Sequence, residues 1–265
     1  MYKNILIPLS MFLLSSTLSS AKVLKISNVE ERYFKKINIK IKNNIQQNVH
    51  FGFSHTTGNI KSLNLNAQYD VALLVAGYDN RDLTYMLASR VYFSENDEIK
   101  NNEEYQLDMG VEQALPHHWF SYASMYWLRN PEFKNLDNRF SFNVGIGKEI
   151  YNNMQHNLKF KLGMAHNIEN FHNTQETKVY QSLNEYIEYT NTINAHTNLS
   201  LRLGGMQNTS NFSKDYELLG VLALEMKITE NLNIRIEEEL YYDALPSLGI
   251  KKVDTKSLVS IGYNF

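Results

Sequence analysis

The sequence predicts an all-β fold, an antiparallel up-and-down transmembrane β-barrel of about twelve strands. Three observations predict it. From about residue 46 onward apolar and polar residues alternate with a period of two, as in strands that have one apolar and one polar face. The connections alternate between short and long along the chain, as they do when one rim of a barrel carries tight turns and the other carries loops. The N-terminus reads as an export signal, and no later apolar run approaches the roughly 18 residues of a membrane helix.

Taken in order, residues 1–21 carry Lys3, then the apolar run ILIPLSMFLL, then small residues at Ser19 and Ala21. This is the pattern of a secretory signal peptide, with cleavage expected after Ala21. Residues 22–45 are Lys-rich and lack a sustained period, so they read as a periplasmic segment ahead of the barrel, which spans 46–265. The exported chain contains no cysteine, which excludes a disulfide framework and a thiol metal site. Its formal charge of −2 gives no sign of nucleic-acid binding. Tyrosine (17) and phenylalanine (13) far outnumber proline (4), a balance that suits strands.

Twelve strands are expected to start near residues 46, 61, 82, 103, 118, 137, 156, 176, 195, 214, 231 and 253. In KSLNLNAQYDVAL, Leu63, Leu65, Ala67, Tyr69, Val71 and Leu73 share one face, and Asn64, Asn66, Gln68 and Asp70 the other. The same alternation recurs in RFSFNVGIG, NLKFKLGMA and NLNIRIEEELYY. Short connections are expected at AGYDN, LPHH, YNNMQ, TINA and ITEN, and longer polar ones at SENDEIKNN, RNPEFKNLD, NIENFHNTQE, GGMQNTSNFSK and DALPSLGIKKVD. The first set suits the periplasmic rim and the second the outer rim. In the last strand, SLVSIGYNF, the stripe Val259, Ile261, Tyr263 and Phe265 faces lipid, and Tyr263 with Phe265 reads as an assembly signal for barrel-insertion machinery.

Two stretches, FGFSHTTGNIKSLNLNAQYD (51–70) and LPSLGIKKVDTKSLVSIGYNF (245–265), resemble the first and last hairpins of the salt-induced outer-membrane proteins, domain-of-unknown-function family 481. The matching residues are the Thr57, Gly58, Asn59 turn and the series Pro246, Gly249, Lys251, Lys252, Asp254, Thr255. Val253 stands where the family usually has Thr, and Thr57 where Ser is commoner. The resemblance implies an outer-membrane barrel and a link to salt or osmotic response. It brings no catalytic residues.

If the polar faces line the lumen, they place Asp108, Glu112, Arg139, Lys148, Lys159, Lys161, Arg202, Glu225, Arg235, Glu237 and Glu239 inside. Mixed signs fit either a hydrated passage that selects solutes or a set of ion pairs that fills the barrel. The expected function is therefore a narrow or plugged passive pore, or an envelope structural protein. A phospholipase-like outer-membrane hydrolase is one alternative, but none of the eight histidines is followed two residues later by Ser. A soluble periplasmic lipocalin-like binder is another, and it requires the opposite polarity of the wall.

His117 and His118 are adjacent, so a strand would turn them to opposite faces, and interfacial roles suit them better than a shared metal. The acidic stretch SENDEIKNNEE lacks EF-hand spacing and reads as a solvated loop. Trp119, Phe120, Tyr122, Tyr126 and Trp127 crowd one strand and suggest aromatic girdles more than a ligand groove. No cofactor is expected. The expected partners are outer-membrane lipid, lipopolysaccharide and the insertion machinery, with a monomer favoured.

Overall fold

A computed structural model describes residues 29–30, 34–35, 45–57, 62–96, 99–153, 155–246 and 250–264. The expected signal peptide, most of the segment 22–45, and Phe265 lie outside the described residues. Two short strands, β1 (Val29–Glu30) and β2 (Phe34–Lys35), pair as a small hairpin.

The remaining strands are β3 (Ile45–Thr57), β4 (Ser62–Ala76), β5 (Asp82–Asn96), β6 (Ile99–Ala114), β7 (Trp119–Asn130) and β8 (Leu136–Asn152). They continue with β9 (His156–Phe171), β10 (Thr177–Asn194), β11 (Thr197–Asn208), β12 (Tyr216–Lys227), β13 (Leu232–Asp243) and β14 (Val253–Asn264). Each pairs antiparallel with its sequence neighbours, and β14 closes on β3, giving a sealed ring of twelve strands. Closure satisfies every strand edge within the sheet, which is what permits a sheet to sit in hydrocarbon. The strands begin within four residues of the positions read from the sequence.

One rim, the turn rim, carries the connections 77–81, 115–118, 153–155, 195–196 and 228–231. Two of these are built alike. Asp79 and Asn80, and likewise His117 and His118, adopt left-handed backbone with φ between 54° and 63°. Gly77 N–H donates to the Arg81 carbonyl at 2.7 Å, and Leu115 N–H to that of Trp119 at 2.7 Å. Successive left-handed residues match the twist of the flanking strands, which is why tight hairpins use them.

The opposite rim differs from the sequence reading. Its connections were expected to be long, yet strand pairing runs through much of them. β5 continues to Asn96 and β6 resumes at Ile99, so SENDEIKNN is the tip of a hairpin. RNPEFKNLD condenses into a single helical turn, α1 (Pro131–Lys134). The strands run from 12 to 18 residues, whereas about 9–11 cross a bilayer. The surplus projects beyond the membrane, where both faces meet water and the apolar–polar alternation that marks a strand disappears.

Alternation within the ring is clean. Phe51, Leu65, Phe142, Val144, Ile146, Met164, Leu222, Leu240 and Ile261 are exposed on the outside. Their neighbours one residue away, among them Asn143, Ala165, Val221, Glu239 and Ser260, are buried inside. The wall is apolar outside and polar inside, the reverse of what a soluble lipocalin-like binder requires.

Outward aromatics gather near the two rims. Trp119, Tyr151, Tyr189 and Tyr263 mark the turn rim, and Tyr105, Trp127, Tyr216 and Tyr242 the other, as interfacial girdles do. The aromatic strand β7 is thus divided: Trp119 and Trp127 belong to the girdles, while Phe120 and Tyr122 are buried in the lumen.

The seam between β3 and β14 depends on Gly52. It pairs with Ser260, and a Cβ there would lie 2.1 Å from the Val259 carbonyl oxygen and 2.7 Å from the Ser260 Cα. Because the obstacles are backbone, they cannot swing aside. Gly52→Ala is expected to destabilise the folded barrel by about 1–3 kcal/mol. The check is a lower temperature for the transition from the fast-migrating folded band to the slow unfolded band on a detergent gel.

Candidate functional site

The interior is a stack of charged side chains. Of the lumen charges expected from sequence, Asp108, Glu112, Arg139, Lys159, Lys161, Arg202, Glu225, Glu237 and Glu239 are buried inside the ring, and Arg235 is largely so. Lys148 is not inside. It follows Ile146 on the outer face of β8, pairs with Trp119 across the strands, and sets its ammonium 5.1 Å from the Trp119 ring. The polar pattern of β8 misled because Gly145 and Gly147 occupy the lumen face and carry no polar side chain to mark it. A lysine in the aromatic belt keeps its charge at the interface while its stem covers apolar surface.

Half of these contacts join strands that are not neighbours. Near the outer mouth Arg139 on β8 reaches Glu217 on β12 at 2.6 Å, and also Glu169 on β9 at 2.6 Å. The Tyr180 hydroxyl donates to Glu169 at 2.6 Å. Lys256 on β14 meets Glu104 on β6 at 3.1 Å, with its ammonium 3.9 Å from the Tyr92 ring. Arg90 on β5 meets Glu237 on β13 at 3.4 Å, and Arg235 Nε donates to the same carboxylate at 3.0 Å. Towards the turn rim Lys159 on β9 lies 3.5 Å from Glu112 on β6 and 3.5 Å from Glu149, while Lys161 lies 3.6 Å from Glu112. Arg202 on β11 lies 3.7 Å from Glu188 on β10.

Five of these pairs bridge strands three or four places apart in the ring of twelve. Neighbouring strands are about 4.8 Å apart, so wall residues that far round the ring meet only by reaching across the lumen. The bridges lie at different heights, so the interior is crossed repeatedly.

Several partners were absent from the sequence expectation: Arg90, Glu104, Glu149, Glu169, Glu188, Glu217 and Lys256. Strand parity carried the signal for Glu104, Glu149, Glu169 and Glu217, which share a face with Asp108, Arg139, Lys159 and Glu225. No lumen charge was expected on the strands of Arg90, Glu188 and Lys256. Glu104 is the clearest correction. It was assigned to a solvated acidic loop, yet it is 3% exposed and paired inside the wall.

The helical turn α1 leaves the wall between β7 and β8 and sets Lys134 3.6 Å over the ring of Tyr241, on β13 across the mouth. Lys134, Arg139, Glu217 and Tyr241 line two cavities at once. One, of about 140 Å³, extends down to Asp108, Asn143 and Arg202. The other, about 40 Å³, lies against Glu169, Lys178, Asp215 and Asp254 at the outer rim. The Arg139–Glu217 bridge with Lys134 and Tyr241 therefore stands as a partition in the mouth.

Other candidate sites dissolve into structure. His117 and His118 are exposed in their turn. His156 shares a 2.8 Å hydrogen bond with Tyr189, His166 one of 2.6 Å with Gln181, and His172 pairs with Asp137 at 2.9 Å. Among the described residues no group of three or more acidic or histidine side chains is arranged to hold a metal. Tyr263 of the expected assembly signal is exposed on the outer face of β14, opposite Leu232 and Val49.

Known structures share this architecture. A NanC porin matches with a TM-score of 0.53 at 9% identity, over 81% of this chain and 98% of that one. The COG4313 outer membrane channel from Pseudomonas putida F1 matches with a TM-score of 0.51 at 10% identity, over 85% of this chain and 96% of that one. At such identities the likeness is one of fold, a porin-like closed β-barrel. No curated protein sequence matches. The family model for proteins of unknown function, DUF481, matches residues 49–265, in keeping with the resemblance carried by the first and last hairpins, and the chain belongs to that family.

Proposed function

We propose that this protein is a passive outer-membrane channel with a narrow, ion-pair-crossed lumen. Its short turns face the periplasm and its projecting hairpins face outward. The observation that carries this reading is the set of bridges Arg139–Glu217, Arg90–Glu237, Lys256–Glu104 and Lys159–Glu112, which join strands three or four places apart. A wide pore would leave such charges lining separate walls in water. Here they are at most 14% exposed and hold one another across the passage. The apolar exterior, the two aromatic belts and the closed ring support the membrane setting.

Residues 1–21 direct export, and the first barrel strand, β3, begins at the periplasmic rim. Tyr263 and Phe265 present the C-terminal strand to the insertion machinery. The acidic partners Glu112, Glu217 and Glu237 and the cations Arg139, Lys159 and Arg90 set which ions pass. Pairs this buried are screened little by added salt, so the link to salt or osmotic conditions is supported by the family resemblance and not by the pairing itself.

Planar-bilayer recording of the purified mature protein tests this. Discrete current steps are expected, well below those of a sixteen-strand porin measured in the same chamber. Arg139→Gln, which releases Glu217 at the mouth, is expected to enlarge them. Steps as large as the wide porin's, or none in either protein, would overturn the reading.

A further inference from the structure

We propose that this channel passes small cations in preference to anions. The inference rests on the channel reading above and adds the sign of the charge that the lumen admits.

The observation behind it is a surplus of carboxylates in the interior. Among the described residues seven cations face into the ring, and each is held in the ion pairs described above by one or two of seven carboxylates. Five more carboxylates, Asp70, Asp108, Glu225, Glu239 and Asp254, are buried on the same inner face. Twelve negative groups therefore share the lumen with seven positive ones. The whole chain has a formal charge of only −2, so the surplus belongs to the interior and not to the chain at large.

Strand register shows how the excess is distributed. Several cations stand between two acids. Arg139 reaches both Glu169 and Glu217, and Lys159 both Glu112 and Glu149. Lys256 meets Glu104 at 3.1 Å and is paired across the strands with Glu239. Arg235 Nε donates to Glu237 at 3.0 Å, and its cross-strand partner on the other side is Glu225.

One level of the wall carries negative charge alone. Asp70 on β4 is paired with Ala88 on β5, and Ala88 with Asp108 on β6, so two carboxylates flank a single methyl group. The row continues through Asn48 on one side and Tyr126, Ser141 and Asn167 on the other, all neutral. Gln68 Nε2 donates to both oxygens of Asp70 at 3.0 Å, so each acts as an acceptor, the role of an ionised carboxylate.

Charges in this position act on the passage without touching a permeating ion. Protein around them is a poor screen, and salt in solution screens buried charges much less than exposed ones. A lumen with net negative charge raises the local concentration of small cations and lowers that of anions, as rings of Asp and Glu do in cation channels. Cations at the outer rim oppose this weakly. Lys134, Lys178 and Lys251 stand there beside Asp215 and Asp243, and they are more exposed than the interior charges.

The test is the zero-current potential of the mature protein in a planar bilayer separating concentrated from dilute KCl at neutral pH. The dilute side is expected to become positive, with K⁺ permeating about tenfold or more over Cl⁻. Asp70→Asn combined with Asp108→Asn removes two charges while leaving the described ion pairs intact, and it is expected to shift the potential toward zero. Glu225→Gln, nearer the turn rim, provides the same reading from a separate part of the wall. Glu176→Gln, in an exposed turn, is expected to leave the potential unchanged. Each variant is read with its folded band on an unboiled gel, and the unsubstituted protein decides the sign by itself. A zero potential, a positive concentrated side, or a K⁺ preference undiminished in both lumen variants would overturn the selectivity and leave the channel standing. Absence of current from protein that shows the folded band would overturn both.

Discussion

Replacing Glu237 by alanine is expected to destabilise the folded barrel by about 3–5 kcal/mol, because it strands two buried cations that share one carboxylate. Glu237 is 2% exposed, and it holds Arg90 from β5 and Arg235 from its own strand. Without it, two guanidinium groups of like charge face each other in a space with little water. The temperature at which the folded gel band converts to the unfolded one is expected to fall sharply. In bilayers the surviving folded protein is expected to conduct more, since one tether between opposite walls is gone. Unchanged stability would mean that the cluster is well hydrated and contributes little to holding the walls.

The second large effect concerns the outer face. Val144 lies at the middle of β8, is 62% exposed, and sits between Phe142 and Ile146 on the same face. Val144→Lys is expected to cost about 2–4 kcal/mol if that face meets hydrocarbon, where a lysine at the midplane loses its hydration. The folded protein recovered from outer membranes should drop accordingly. Lysine in place of Glu176, exposed in the 172–176 turn, is expected to leave recovery unchanged. In a water-soluble barrel the first substitution would be harmless, because it would replace an exposed valine by a charge. The comparison of the two sites therefore reads the solvent of the wall directly.

Where the lipid lies, the sequence is easy to read, because each strand must turn apolar side chains to one side and polar ones to the other. Strands such as β9, with Leu162 and Met164 outside and Lys159 and Lys161 inside, announce both their existence and their facing. The reading fails where that contrast is lost. Beyond the bilayer both faces are wet, so the β5–β6 hairpin looked like a loop. On β8 glycines fill the lumen face, so Lys148 was placed inside. Across the lumen, alternation tells which face a residue occupies but not which strand stands opposite. That depends on the number of strands and their stagger, properties of the closed ring. Arg139 was identifiable as an interior charge, but its meeting with Glu217, 78 residues away in sequence, was not.

Fractionation of cells producing the full chain, followed by gel analysis of boiled and unboiled samples, tests the central claim most directly. The account predicts recovery in the outer membrane and a folded band that migrates faster than the boiled one. Recovery in the soluble periplasm, with identical mobility before and after boiling, would contradict it.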